Sequence, residues 1–297
     1  TFVRFVQENK TKKLIKNQFE HYLAPSIVKL LQKNPNKLQL GGDTRELSIL
    51  FSDLRDFTTL SEQFKSNPQE LTDLINKYLT PMTGCVIENN GTVDKFIGDA
   101  LMAFWNAPIN DTDHRLNTVK CALQMFDLLD KLNLELLEKN IELKMGIGIN
   151  TGDVVVGNMG SNQRFDYTCL GDAVNLSARL ESQTKNYKVG LLVGEETKKG
   201  LENQFNFYEL DKIAVKGKSE GVRIYTVLDN AKNYPNHLAF LDSYINKEWD
   251  EALKHAKFNK RGITELVGYY DMMISRIEEL KNTNTDDWDA IYRSTSK

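Results

Sequence analysis

The run over residues 47–57 constrains the fold most, because an apolar, β-forming segment ends abruptly in carboxylates. A short apolar run that stops at polar turn formers is typical of a strand covered on both faces. An acid just past such a strand stands where ligands usually bind. The pattern therefore predicts a buried strand that presents Asp53 at the edge of a sheet. Asp56 has a second interpretation, as the N-cap of the next helix.

A second carboxylate stands at a predicted hairpin. β-rich runs flank the sequence Ile97-Gly98-Asp99-Ala100, and Gly-Asp between such runs is a hairpin signal. Taken alone, a hairpin Gly-Asp is most often only turn chemistry. Paired with Asp53, Asp99 can share a divalent cation between neighbouring strands. Hard oxygen ligands with no His or Cys nearby favour Mg²⁺ or Mn²⁺ over zinc.

Composition and charge narrow the class of protein. The chain has 297 residues and 40% apolar content, enough for a substantial core. A net charge of −3 argues against a nucleic-acid-binding protein. Three widely separated cysteines form no metal-type pair and suggest a reducing compartment. No run is long enough to span a membrane and no signal peptide is visible. Because the chain starts with Thr1, we expect a fragment or a processed product.

The order of predicted elements indicates an α+β fold. A helix from Pro68, the hairpin, a helix over about 114–137 and a strand over 141–149 follow the first strand. This β-α-β-β-α-β order predicts a ferredoxin-like, palm-type antiparallel sheet with helices on one face. A further helix and three strands extend it, at 171–183, 190–193, 205–213 and 223–228. We interpret Gly41-Gly42-Asp43 as a loop and Gly152-Asp153 as a turn.

Four blocks of the chain resemble, in order, the signature blocks of the class III nucleotidyl cyclases. They are F-S-D-L-R-D-F-T at 51–58, K-F-I-G-D at 95–99, G-I-G-I-N-T-G at 146–152 and Y-T-C-L-G-D-A-V-N-L-S-A-R-L-E at 167–181. One block alone is a weak signal, whereas four in order are specific. The resemblance covers about residues 44–229 and implies the catalytic domain and fold of this family, of the bacterial adenylate type.

The resemblance assigns the carboxylates to metal binding. It implies that Asp53 and Asp99, with the backbone carbonyl of Leu54, hold two divalent cations, Mg²⁺ or Mn²⁺, beside ATP. Such a pair of cations can activate the ribose 3′-hydroxyl and stabilise the departing pyrophosphate.

Phosphate binding is assigned to a helix start and to a lysine. The backbone N–H groups at a helix start suit the β- and γ-phosphates, here those of Phe57, Thr58 and Thr59. Lys216 matches the family lysine that holds the terminal phosphates, with Lys218 as the alternative by register. Asp56 departs from the family pattern, which has glycine there, and adds a carboxylate near the phosphates.

The resemblance also implies which residues read the base. Lys95 and Thr168 occupy the positions that contact adenine in adenylate-type relatives, whereas guanylate-specific relatives usually carry Glu and Cys. An ammonium can donate to ring N1 and a hydroxyl can accept from the N6 amine, as adenine requires. Outside this family, Lys95 would be interpreted as a solvated strand lysine and Thr168 as a strand former. Cys169 is one residue away, so the register of this block matters.

Asn175 and Arg179 lie four residues apart, hence on one helix face. The resemblance implies that Asn175 positions the ribose and that Arg179 stabilises charge on the α-phosphate. In the family the carboxylates come from one subunit and the base-reading and transition-state residues from the other. Since this chain carries both sets, we expect a homodimer with two shared active sites.

We divide the chain into a connector over 1–43, a catalytic domain over 44–229 and a C-terminal helical, tetratricopeptide-like extension over 230–297. Residues 1–37 hold eight Lys or Arg against two Glu, giving +6. A solvated helix face is the ordinary interpretation. We favour a juxtamembrane connector, because similar basic helices precede the domain in membrane-anchored sensor cyclases. The expected location is cytoplasmic, as part of an inner-membrane protein.

The predicted function is an adenylate cyclase that converts ATP to 3′,5′-cyclic AMP and pyrophosphate, the output domain of a signalling protein. A guanylate cyclase, a catalytically silent nucleotide-binding regulator and a scaffold acting through its C-terminal helices are the alternatives. Turnover of ATP would separate the adenylate cyclase from the silent regulator, and the products formed from ATP and from GTP would separate the two cyclases. Deletion of residues 231–297 would test the scaffold.

Overall fold

The structure of the chain is a computed structural model, which describes residues 27–28, 40–214, 221–229, 234–283 and 288–293. The predicted basic connector lies almost entirely outside these residues. Lys216 and its alternative Lys218 also lie outside them, so the phosphate lysine stays a prediction.

One eight-stranded sheet forms the centre of the described chain. Its strands are β1 Gly41–Leu54, β2 Thr92–Ile97, β3 Ala100–Trp105, β4 Met145–Gly160, β5 Phe165–Leu170, β6 Leu191–Gly194, β7 Asn206–Ile213 and β8 Val222–Leu228. Their order is β2-β3-β1-β4-β6-β8-β7, and β5 pairs with β4 outside this path. The β4–β6 pair is parallel and the other pairs are antiparallel.

Helices cover the sheet. They are α1 Phe57–Gln63, α2 Pro68–Glu88, α3 His114–Leu136, α4 Asp172–Tyr187, α5 Glu195–Lys198, α6 Tyr234–Ile245, α7 Trp249–Gly262 and α8 Val267–Lys281. α2 begins at Pro68, where a missing N–H costs little, and buries a stripe that includes Tyr78 and Met82. α2 and α3 share one core with β1, β3 and β4. The predicted α+β architecture is confirmed.

The opposite face of the sheet carries a smaller core. Leu47, Phe104 and Val156 pack there with Cys169 of β5. β5 therefore contributes to this core, and Thr168, next to Cys169, contacts Asp94 of β2.

The C-terminal helices α6, α7 and α8 pack against α4 and β7. Their core includes Phe240 and Tyr269, and it is continuous with Leu180 and Tyr187 of α4. These helices therefore bury their apolar faces against the rest of the described chain. The classification as a tetratricopeptide-like unit and the domain boundaries stay predictions. Within the described ranges, no helix combines the length and apolar content needed to cross a membrane.

Two local predictions are wrong, and both concern the same ladder. The residues 41–43 form the start of β1 rather than a loop, and Gly152-Asp153 lies within β4 rather than at a turn. β1 and β4 pair continuously, from Gly41 opposite Asn158 to Leu54 opposite Met145. The long ladder overrides the local preference of glycine for turns, because each strand supplies the hydrogen bonds that the other needs.

Candidate active site

Asp53 and Asp99 lie at one edge of the sheet. Asp53 is the next-to-last residue of β1, and Asp99 lies in the turn between β2 and β3. Leu101 of β3 pairs with Ser52 of β1, so the turn lies beside the end of β1. The turn is possible because Gly98 has a φ of +67°, which glycine adopts without a Cβ clash. Both carboxylates line a cavity of about 420 Å³, called here the carboxylate cavity.

The carboxylate pair has the electrostatics of a cation site. Burial raises the pKa of Asp99 to about 6, with a further contribution from the hydrogen bond and charge of Asp53. Oδ2 of Asp99 is buried without a hydrogen-bond partner. A cation beside the pair would satisfy this oxygen and offset the repulsion between the carboxylates.

The donor set of this pair is small. In the described part of the chain, no group of three or more His, Cys, Asp or Glu side chains could hold a metal ion. Mg²⁺ nevertheless commonly takes one or two carboxylates from a protein and completes its shell with substrate phosphates and water. The pair, with Leu54 beside it in the cavity lining, therefore fits the predicted cations.

A buried ion pair forms another wall of the carboxylate cavity, and the sequence analysis missed it. Arg55 Nη1 lies 3.3 Å from Glu181 Oε1, with both side chains largely buried. Burial raises the pKa of Glu181 to about 7, although Arg55 opposes the shift. Gly146 leaves the space for Arg55, since a Cβ there would lie 1.8 Å from the guanidinium. Glu181 is the last residue of the fourth motif block, and its place in that block is the sequence signal that could have identified it.

The start of α1 also lines the carboxylate cavity, through the predicted phosphate-binding residues Phe57, Thr58 and Thr59. The first N–H groups of a helix have no partner within it, so they suit an anion. Asp56 precedes them with a φ of 53°, a left-handed conformation that favours glycine. Its carboxylate makes no capping bond and instead lies 3.0 Å from Lys185 Nζ, which lowers the pKa of Asp56. Asp56 is therefore the N-cap residue of α1, as its second interpretation predicts, but without a side-chain capping bond.

Lys95 and Thr168 lie together, joined by a residue that the sequence analysis did not single out. The Thr168 hydroxyl donates to Oδ2 of Asp94 at 2.5 Å, and Lys95 Nζ lies 3.3 Å from Oδ1. Burial raises the pKa of Asp94, while Thr168 and Lys95 oppose the shift. The β2–β3 register shifts between Val93 and Lys95, so Asp94 occupies a β-bulge, a feature that re-aims side chains.

Asn175 and Arg179 are exposed residues of α4, one turn apart. The helix is fixed on the sheet by Ser177, whose hydroxyl donates to the carbonyls of Ile49 and Gly148. A Cβ at Gly148 would lie 2.1 Å from a backbone nitrogen of α4, so this glycine permits the close contact. Asn175 and Arg179 do not line the carboxylate cavity, and neither do Lys95 and Thr168.

Comparison with known proteins places these elements in a family. A profile described as "Adenylate and Guanylate cyclase catalytic domain" matches residues 42–229. The chain belongs to this family. An adenylate cyclase of Anabaena cylindrica is 34% identical over 229 residues, which are 74% of this chain and 44% of that protein. The first three curated relatives are each covered over less than half of their length.

Solved cyclase domains share the fold. The adenylyl cyclase CyaB from P. aeruginosa is 34% identical with a TM-score of 0.59, covering 65% of this chain and 98% of that one. The guanylyl cyclase Cya2 is 35% identical with the same TM-score of 0.59, covering 66% and 98%. An adenylyl and a guanylyl cyclase are therefore equally similar, and overall likeness does not distinguish the two substrates.

Proposed function

We propose that this cyclase domain converts ATP to 3′,5′-cyclic AMP and pyrophosphate. The observation that carries the choice of base is the cluster of Lys95 and Thr168 around Asp94. A lysine ammonium can only donate, which suits adenine N1, and the threonine hydroxyl can accept from the N6 amine. The substrate base would lie against these two side chains.

The carboxylate cavity would hold the triphosphate end of the substrate. Two divalent cations on Asp53, Asp99 and the Leu54 carbonyl would supply Lewis-acid activation of the 3′-hydroxyl and neutralise charge on the phosphates. The N–H groups at the start of α1 would bind the β- and γ-phosphates. We also assign Lys216 to the terminal phosphates, from its motif position alone.

Asn175 and Arg179 would act on the reacting centre. Asn175 would orient the ribose so that its 3′-oxygen is in line with the α-phosphorus. The bond from the 3′-oxygen to phosphorus forms while the bond to the bridging oxygen of pyrophosphate breaks. Arg179 would stabilise the charge that collects on the α-phosphate, for which a planar cation with several donors is suited.

We infer that two copies of the chain share each active site. In one chain, the cavity that holds Asp53 and Asp99 is not lined by the base-reading pair, by Asn175 or by Arg179. Because both Asn175 and Arg179 are exposed, a second copy can bring them to the carboxylate cavity of the first. A symmetric dimer would then have two equivalent sites.

The product assay tests the proposed function directly. The purified chain is incubated with ATP or with GTP, each with Mg²⁺ and with Mn²⁺. We expect cyclic AMP and pyrophosphate from ATP. Cyclic GMP as the main product would overturn the assignment of the base and favour a guanylate cyclase, the activity named for the similar protein Cya2. A dimer without product would favour the silent regulator.

We also propose that the domain is the cytoplasmic output part of a membrane-anchored signalling protein. The excess of +6 in residues 1–37 supports this, since cytoplasmic flanks of membrane spans are rich in Lys and Arg. Fractionation of the full-length protein tests the proposal. We expect it in the membrane fraction, and full recovery in the supernatant would contradict the anchor.

A further inference from the structure

A buried carboxylate joins the two residues assigned to the base. Asp94 has no exposed side-chain surface. One of its oxygens accepts the Thr168 hydroxyl proton at 2.5 Å, and the other lies 3.3 Å from Lys95 Nζ. Thr168 and Asp94 are 74 residues apart and belong to different strands, β5 and β2. The contact therefore depends on the tertiary fold.

This contact restricts the chemistry of the threonine. A hydroxyl has one proton to donate and two lone pairs that accept, and its proton can usually rotate to suit the partner. An ionised carboxylate can only accept. Because the Thr168 hydroxyl donates its hydrogen bond to Asp94, only the lone pairs of its oxygen are left for a ligand, and these can only accept.

The restriction matters at position 6 of the base, the atom next to the one assigned to Lys95. At ring N1 the two bases already differ, since adenine N1 can accept from the Lys95 ammonium whereas guanine N1–H is itself a donor. At the neighbouring position adenine offers an N6 amine, a donor, and guanine offers the O6 oxygen, an acceptor. A hydroxyl that is free to rotate can serve either base, whereas one that only accepts can serve adenine alone.

We propose that Asp94 is a specificity-determining positioning residue, which fixes the Thr168 hydroxyl as an acceptor and so disfavours guanine. This inference rests on the proposed function, since it takes Lys95 and Thr168 as the residues that read the base. Asp94 acts through Thr168 and does not touch the substrate.

The test measures the ratio of kcat/KM for GTP to kcat/KM for ATP. Both values come from the same protein sample, so any change in the folded fraction cancels in the ratio. Asp94→Ala frees the hydroxyl proton and should raise the ratio about tenfold, the effect expected for one restored hydrogen bond. The control Asp166→Ala removes an exposed nearby carboxylate of β5 whose charge acts on Asp94, and should leave the ratio unchanged.

A double-mutant cycle separates this role from a general structural one. Thr168→Val removes the hydroxyl, so adding Asp94→Ala to it should change the ratio less than about twofold. An equal effect of Asp94→Ala in both backgrounds, or no effect in the wild-type background, would overturn the inference.

Failure of the proposed function has a different result. The proposed function fails if the wild-type chain does not prefer ATP over GTP. The inference fails if Asp94→Ala does not raise the ratio of kcat/KM for GTP to kcat/KM for ATP, whatever the wild-type preference is. If the wild-type chain forms no product, the same ratio is measured as dissociation constants of α,β-methylene ATP and GTP by calorimetry. A shift toward the guanine nucleotide in Asp94→Ala is again the expected result, and an unchanged ratio would overturn the inference.

Discussion

Replacing Arg276 by methionine should destabilise the chain strongly. Arg276 Nη1 lies 2.5 Å from Oδ2 of Asp211, and the two side chains are only 9% and 2% exposed. The Tyr187 hydroxyl donates to the same carboxylate at 2.6 Å. Removing one partner of a buried ion pair leaves a buried charge without compensation, which costs about 3–5 kcal/mol. The loss corresponds to roughly 5–8 °C in melting temperature for a chain of this size.

The same substitution should make stability depend on pH. Burial raises the pKa of Asp211, and Arg276 opposes that shift. The folded state therefore binds the Asp211 proton more readily than the unfolded state, so stability is lost as pH rises through the raised pKa. Without Arg276 this pKa rises further. The penalty in Arg276→Met should be largest at neutral pH and shrink toward about pH 5.

The assay is urea denaturation of the wild-type chain and of Arg276→Met, each at neutral pH and at about pH 5. Lys260→Met is the matched control, because Lys260 also pairs with an acid of another element, at 2.5 Å from Asp271 of α8, but both side chains are more than a third exposed. Such an exposed pair contributes about 0.2–1 kcal/mol. A loss in Arg276→Met no larger than in this control, or one that does not change with pH, would refute the account of the buried pair.

Three further substitutions test separate parts of the site. Lys95→Glu with Thr168→Cys, the pair usual in guanylate-specific relatives, should move the product ratio toward cyclic GMP by at least about tenfold, and an unchanged ratio would count against the base assignment. Gly148→Ala forces a Cβ to within 2.1 Å of the backbone nitrogen of Glu181, so we expect about 1–3 kcal/mol of destabilisation with reduced turnover, and an unaltered melting temperature would contradict this packing. Asp56→Gly removes a carboxylate near the phosphates and should lower KM for ATP about two- to fivefold, the size of one exposed charge acting on another; a KM that stays the same would show that this carboxylate does not act on the triphosphate.

Much of the site could be predicted because its residues stand in local patterns. Asp53 follows an apolar run and Asp99 follows a glycine between two strand patterns, and the structure brings both to one cavity. The spacing of Asn175 and Arg179 likewise places them on one helix face by helical geometry alone. These inferences need only the period of the local element, which the sequence carries.

The errors and omissions have a common cause in long-range pairing. Gly152 looks like a turn residue, but pairing with Leu47 of β1 keeps it in an extended strand. Asp94 could be seen beside Lys95, yet its bond to Thr168 depends on the fold bringing β5, a strand paired with β4, against β2. No period or spacing in the sequence specifies such a contact.

The most direct test of the central claim, an adenylate cyclase with active sites shared by two chains, is complementation between two inactive variants. Asp53→Asn removes a proposed cation ligand and Arg179→Ala removes the proposed transition-state residue. Heterodimers of the two should keep one intact site of two, so random mixing should restore cyclic AMP formation from ATP to about a quarter of the wild-type level. If subunit exchange is demonstrated and the mixture still forms no cyclic AMP, the claim is contradicted.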